Sequence, residues 1–233
     1  MFIKVIIWFI QKYKNPSFEF DQSVSFGIIC SLILSRLISR VRALKLLVYL
    51  KLPKGLFLGK SVTFFNIKKI TFGQSVTIGS SVHLSGLGSD GLNIGHRVNI
   101  GDYSRVVVST SFDNIGKGIK LHDDVAIGEF SYIGGAGGVE IGSSCIIGQY
   151  FSTHPENHIF SSLETEIRAQ GVDRKGIEIG RNCWIGAKVT ILDGSVIGSG
   201  CVVAAGAIVN GSFPNDVVIG GVPAKIIKKR SNK

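Results

Sequence analysis

Two histidines four residues apart, in Thr153-His154-Pro155-Glu156-Asn157-His158-Ile159-Phe160, are the side chains of this chain best suited to chemistry. Imidazole titrates near neutrality, so it can take a proton from a hydroxyl and pass it on. Glu156 and Asn157, between them, bring a carboxylate and an amide that can orient a ring or hold a polar ligand. Histidine is also a zinc ligand, and His122 would bring the number to three. Zinc requires three protein ligands converging on one point, and the sequence spacing does not supply such a set. His83, His96 and His122 fall within a regular repeat at positions that face outward.

That repeat is the element that must position the histidines. From Ile177 to Val209 the chain reads in sixes: Ile179-Gly180, Ile185-Gly186, Ile191-Leu192, Ile197-Gly198 and Val203-Ala204 each open a hexad, with a small or β-branched residue at the fifth place. A period of six fits neither a helix nor a strand meander. It predicts a solenoid, in which each unit buries its apolar edge only against its neighbours. The glycine at the second place is expected to supply the backbone conformation of a tight corner. Upstream, Leu58-Gly59, Phe72-Gly73, Ile78-Gly79, Ile94-Gly95, Ile100-Gly101, Ile115-Gly116, Ile127-Gly128, Ile141-Gly142 and Ile147-Gly148 open further repeats, at intervals that are not all multiples of six. Gly86–Asn93 and Ser109–Lys120 read as loops or irregular rungs. The longest interruption, residues 151–176, carries both histidines, and a long excursion from a rigid scaffold is where binding and chemistry concentrate.

The hexads, together with Asn182-Cys-Trp-Ile-Gly-Ala187 and Gly220-Gly-Val-Pro-Ala-Lys225, resemble the hexapeptide-repeat acyltransferases. The resemblance implies an all-β fold, a left-handed parallel β-helix with three hexads per coil, and an acetyl-CoA-dependent O-acetyltransferase. Glu156-Asn157-His158-Ile159-Phe160 and Gln170-Gly-Val-Asp-Arg-Lys-Gly176 are similar to the branch acting on bacterial surface polysaccharides, and Thr153-His154-Pro155 partly matches the branch acting on galactosides and maltose. The resemblance therefore implies His158 as general base, with His154 as the alternative or as an acceptor contact. It places Trp184, with Asn157 and Glu156, at the acceptor. The Ala187 N–H would face the thioester carbonyl beside Gly186, and Ala204-Ala205-Gly206 would keep the pantetheine slot open. Lys225 and Lys228, with Lys229, are the candidates for the coenzyme phosphates, because Asn210-Gly211 stand where the family has Thr-Lys. No metal is expected. The resemblance also implies a homotrimer with active sites between subunits. An N-acetyltransferase on an amino sugar or a xenobiotic would use the same scaffold; a zinc-dependent carbonic-anhydrase-like protein and a non-catalytic scaffold are readings of a different class.

Composition sets the outer bounds. At 233 residues the chain suits one main domain with an appendage: residues 1–56 helical and partly amphipathic, 57–210 the β-helix with its loop, and 211–233 a basic tail. The net charge of +10 favours polyanionic partners, but no nucleic-acid-binding motif is present. Cys30, Cys145, Cys183 and Cys201 lack CxxC spacing and read as inert thiols of a reducing compartment. Between Asp21 and Arg36 only 14 residues are uncharged, short of the ~20 that a spanning helix needs. No small-residue cleavage site follows the first apolar run, and a cytoplasmic location is expected. Leu34, Leu37, Ile38, Val41 and Leu44 lie at helical spacing, with Arg36, Arg40 and Arg42 set largely to other faces. This helix either packs on the solenoid or rests on the inner face of a membrane.

Overall fold

The computed structural model describes residues 17–21 and 23–231, together with 7–8 and 11–12. The expectation for Met1–Ile10 falls mainly outside them. From Phe57 onward the chain winds into a three-sided parallel β-helix, each side a sheet of short strands stacked in register. Leu58, Ile78, Ile100, Ile127, Ile147 and Ile185 follow one another along the first sheet and are all buried. Burying a side chain of this size is worth roughly 1.5–3 kcal/mol, and no coil can bury its own without the next.

The irregular intervals have a simple geometric origin. Every step from the first sheet to the second is six residues, as from Ile127 to Ile133, and so is every step from the third back to the first, as from Ile141 to Ile147. All variation is confined to the remaining corner. There the step is 8 residues from Phe64 to Phe72, 10 from Leu84 to Ile94, 15 from Val106 to Leu121, 26 from Thr153 to Ile179 and 6 from Ile191 to Ile197. The insertions therefore stack along a single edge of the prism. Part of each stretch expected to be a loop is strand: Gly88–Ile94 and Gly116–Leu121 pair with each other in the third sheet.

The role expected of the second-place glycines is corrected in its mechanism. Left-handed backbone falls at the fourth place of the hexad, on Ser81, Tyr103, Phe130, Tyr150 and Lys188. The second-place glycines are required by close stacking instead. A Cβ on Gly128 would lie 2.5 Å from the Gln149 nitrogen, and one on Gly186 2.5 Å from the Ala205 nitrogen. Successive coils touch backbone to backbone at these points, and any side chain would wedge them apart.

Cys145, Cys183 and Cys201 are free, buried and stacked in successive coils at the corner between the third and first sheets. Their sulfurs point to the carbonyls of Gly180, Gly198 and Pro214. The neighbouring Cys145 sulfur and burial push the Cys183 thiol up, which keeps it protonated and inert.

The N-terminal end of the solenoid has no coil beneath it. Lysines fill that role: Lys45 donates to the Val62 carbonyl (2.9 Å), Lys51 to Ile70 (2.7 Å) and Lys54 to Phe72 (3.4 Å). Lys45 arrives on a 3₁₀ segment, Leu44–Tyr49, that continues helix α1, Phe26–Ala43, and Lys51 and Lys54 follow in the stretch leading to the first coil. At the other end, pairing runs on past Asn210. Val217–Gly221 joins the first sheet, and Ala224–Lys229 folds back antiparallel on it after the cis Val222–Pro223 bond. The basic C-terminus is thus mostly an edge strand. Among the described residues no helix is long and apolar enough to cross a membrane.

Candidate active site

The 26-residue step carries the histidines, and buried groups fix its two ends. Thr153 takes the place of an aliphatic residue in the core and donates to the Gly134 carbonyl at 3.0 Å, which anchors the strand Ser152–His154. His154 emerges from the end of that strand with its ring 5.9 Å from Tyr132 and nearly parallel to it. It lines a cavity of about 160 Å³ with Ser109, Ser111, Tyr132, Glu156 and Arg174. The chain then makes a two-residue antiparallel pair, Asn157–His158 against Val172–Asp173, which holds His158 exposed on a short hairpin.

The return limb is clamped by two groups. Asp193 is 6% exposed and accepts from the Lys175 amide (2.9 Å), the Gly176 amide (2.8 Å) and the Asn157 side chain (3.4 Å). Arg174 pairs with Glu156 at 2.6 Å and also donates to the Asn114 side chain and to the Asn114 and Ile115 carbonyls. It thereby ties the loop to the excursion two coils earlier. Glu156 and Asn157 face these partners and not the imidazoles.

The residues expected at the coenzyme gather elsewhere, at the corner between the first and second sheets. Gly186 and Ala187 lie against Ala205 of the next coil, and the Gly206 amide donates to the Ala187 carbonyl at 2.9 Å. Among the described residues nothing accepts the half-buried Ala187 N–H. The Ala204 amide donates to the Ile219 carbonyl (2.8 Å), which brings the Gly220–Lys225 turn alongside. Gly206 has φ +73° with nothing within 4 Å of a Cβ, so this corner is open. Lys225 and Lys228 are exposed on the returning strand. Trp184 projects from the first sheet, 60% exposed, level with Ile146 at 62%.

Within one chain, His154 and the Ala187 corner lie apart. Leu192 is level with His154. It lies five residues beyond Ala187, which puts one face of the prism, roughly 16 Å at ~3.3 Å per residue, between them. His122 directly follows the third-sheet strand Gly116–Leu121, where it and Lys120 hold the Glu140 carboxyl below its ordinary range. Among the described residues no group of three or more His, Cys, Asp or Glu is placed to hold a metal ion.

Residues 176–211 match the family model described as bacterial transferase hexapeptide (six repeats). An Escherichia coli protein named as an O-acetyl transferase of lipopolysaccharide biosynthesis, WbbJ, is 33% identical over 144 residues, covering 58% of this chain and 74% of that protein. This chain belongs to the hexapeptide-repeat transferases. The left-handed parallel β-helix is the fold of that family. A Mycobacterium tuberculosis protein named as an acetyltransferase is 31% identical over 139 residues, 60% of this chain, and the match spans only 44% of that longer protein. Among solved structures, a variant of AntD, an N-acyltransferase from Bacillus cereus in complex with dTDP and coenzyme A, superposes with a TM-score of 0.51 at 22% identity. The superposition covers 76% of this hexapeptide-repeat chain and 83% of AntD, and it establishes the shared fold.

Tyr132, Arg174 and Asp193 were not singled out from the sequence. For Asp193 a signal exists: Leu192-Asp193-Gly194 is where the hexad loses its small second residue and gains a buried carboxylate. Arg174 sits inside the Gln170–Gly176 motif, but its partners, 18 and 60 residues away, can be found only in three dimensions.

Proposed function

We propose that this chain is an acetyl-CoA-dependent O-acetyltransferase acting on a sugar hydroxyl of a bacterial surface polysaccharide or its lipid-linked precursor. The observation that carries the reading is the open corner of small residues around an unpaired backbone amide at Ala187. A fixed N–H with no partner among the described residues suits an oxyanion that forms only during reaction. In this reading Ala204-Ala205-Gly206 border the pantetheine, and Lys225 and Lys228 attract the coenzyme phosphates. The thioester carbonyl accepts from Ala187. His158 takes the proton of the sugar hydroxyl as its oxygen attacks that carbonyl. The tetrahedral intermediate collapses by breaking the C–S bond, and the coenzyme leaves as a thiol, protonated by the histidine. Trp184 and the His154 cavity flank the acceptor.

The separation of the two corners favours a site shared between subunits of a homotrimer. The base is carried on an exposed hairpin, which suits reaching a neighbour. Tyr103, Phe130 and Tyr150 stack along the corner beside Ile146 and Trp184, an outward apolar stripe suited to a partner surface.

The test is transfer of radiolabelled acetyl from acetyl-CoA to a panel of oligosaccharides and lipid-linked glycans, followed by mild alkali. Label released by alkali is an ester and supports the O-acetyl reading, whereas alkali-stable label means an amide and an amino-sugar acceptor. His158→Ala is expected to lower turnover by about 10²-fold or more and His154→Ala by less, since a general base contributes ~10²–10⁴. The reverse order would make His154 the base.

A further inference from the structure

Helix α1 lies on the solenoid the opposite way round from an ordinary surface helix. Its apolar stripe at helical spacing is expected to face the protein. Instead Arg36 and Arg40 face it, stacked on the Phe57 ring at 5.0 and 4.7 Å, and Arg36 also hydrogen-bonds Thr77. Only Ile29 and Ala43 of the helix are buried. The stripe points outward: Leu34 is 58% exposed, Leu37 57% and Val41 65%, and Leu44 and Val48 of the 3₁₀ segment continue the row. Two arginines, themselves still exposed, make the contact with the wall ring, while the leucines are turned away from it into solvent.

The charge around this stripe is one-sided. Between Asp21 and Asp90 the sequence has no Asp or Glu, yet it has nine Lys and Arg, from Arg36 to Lys69. These residues build the helix, the 3₁₀ segment and the first coil, so the whole N-terminal end of the prism is cationic. A second copy seated on the same stripe would bring two such cationic ends together, and like charges in one interface oppose association. A surface that is apolar and anionic satisfies both features at once. We propose that this face of α1 and the 3₁₀ segment rests on an anionic phospholipid surface. Leu34, Leu37 and Val41 would sit at the headgroup–acyl boundary, with the cationic end of the prism close enough to attract the anionic headgroups, as for an interfacial helix. The inference concerns placement only and stands apart from the acyl-transfer reading.

The test is co-sedimentation of the full chain with vesicles of phosphatidylcholine alone and of equal parts phosphatidylcholine and phosphatidylglycerol. A parallel sample carries Leu34→Ser, Leu37→Ser and Val41→Ser together; these exposed positions leave the core intact, which a thermal melt checks. Expected is sedimentation of the wild type with the anionic vesicles, weakened by added salt, and its loss in the triple variant. Wild-type protein that stays in the supernatant with anionic vesicles overturns the proposal, as does equal sedimentation of the two proteins. A fall in oligomer mass of the triple variant by light scattering, without vesicle binding by the wild type, would assign the face to a second copy and also overturn it.

Discussion

At the level of single residues, the hexad separates two demands that a glycine-rich repeat runs together. The second place needs an absent side chain because the next coil's backbone is in the way; the fourth needs a backbone that tolerates positive φ, which serine, tyrosine and lysine supply here at some cost. Gly128→Ala is therefore expected to destabilise by about 3 kcal/mol, the upper part of the range for overpacking. Gly206→Ala, with open space around it, should cost about 1 kcal/mol from left-handed strain alone. Urea unfolding at one protein concentration distinguishes the two, and equal losses would contradict the stacking argument. The sequence makes the aliphatic first place and the small fifth place legible, because burial selects residue type directly. It does not show which glycines are steric and which conformational, since both leave the same letter.

For the elements, the main lesson is the single variable corner. Two corners keep to six residues in every coil, whereas the third absorbs insertions of different length that return to the same register. The loop carrying His154 and His158 returns correctly because Asp193 collects the Lys175 and Gly176 amides and Arg174 bridges Glu156 to Asn114. Asp193→Ala leaves two amides without acceptors, which costs about 1–3 kcal/mol when such groups are buried. It is expected to speed tryptic cleavage at Arg168, Arg174 and Lys175 relative to the wild type. Cleavage at an unchanged rate would mean that the clamp is not what orders the loop. The loop's length and its histidines could be read in the sequence, but its clamps could not, because their partners are set by stacking between coils. Helix α1 shows the converse. Its periodicity was legible, but not which face packs, because the wall residue that selects it, Phe57, lies beyond the helix in the chain and meets Arg36 and Arg40 only after the coil has formed.

For the whole molecule, one prism presents a small-residue corner suited to a thioester coenzyme and, across one face, a histidine-bearing loop suited to an acceptor. Neither group alone can transfer an acetyl group, and the proposed trimer is what would bring them together. The reading depends first on the donor corner. Calorimetric titration of acetyl-CoA into the wild type and into Ala187→Trp tests it most directly, because the added indole should fill the slot without touching the core. Saturable binding in the wild type that the substitution abolishes is the predicted result. Absence of binding in the wild type, or unchanged binding in Ala187→Trp, would contradict the assignment of that corner to the coenzyme.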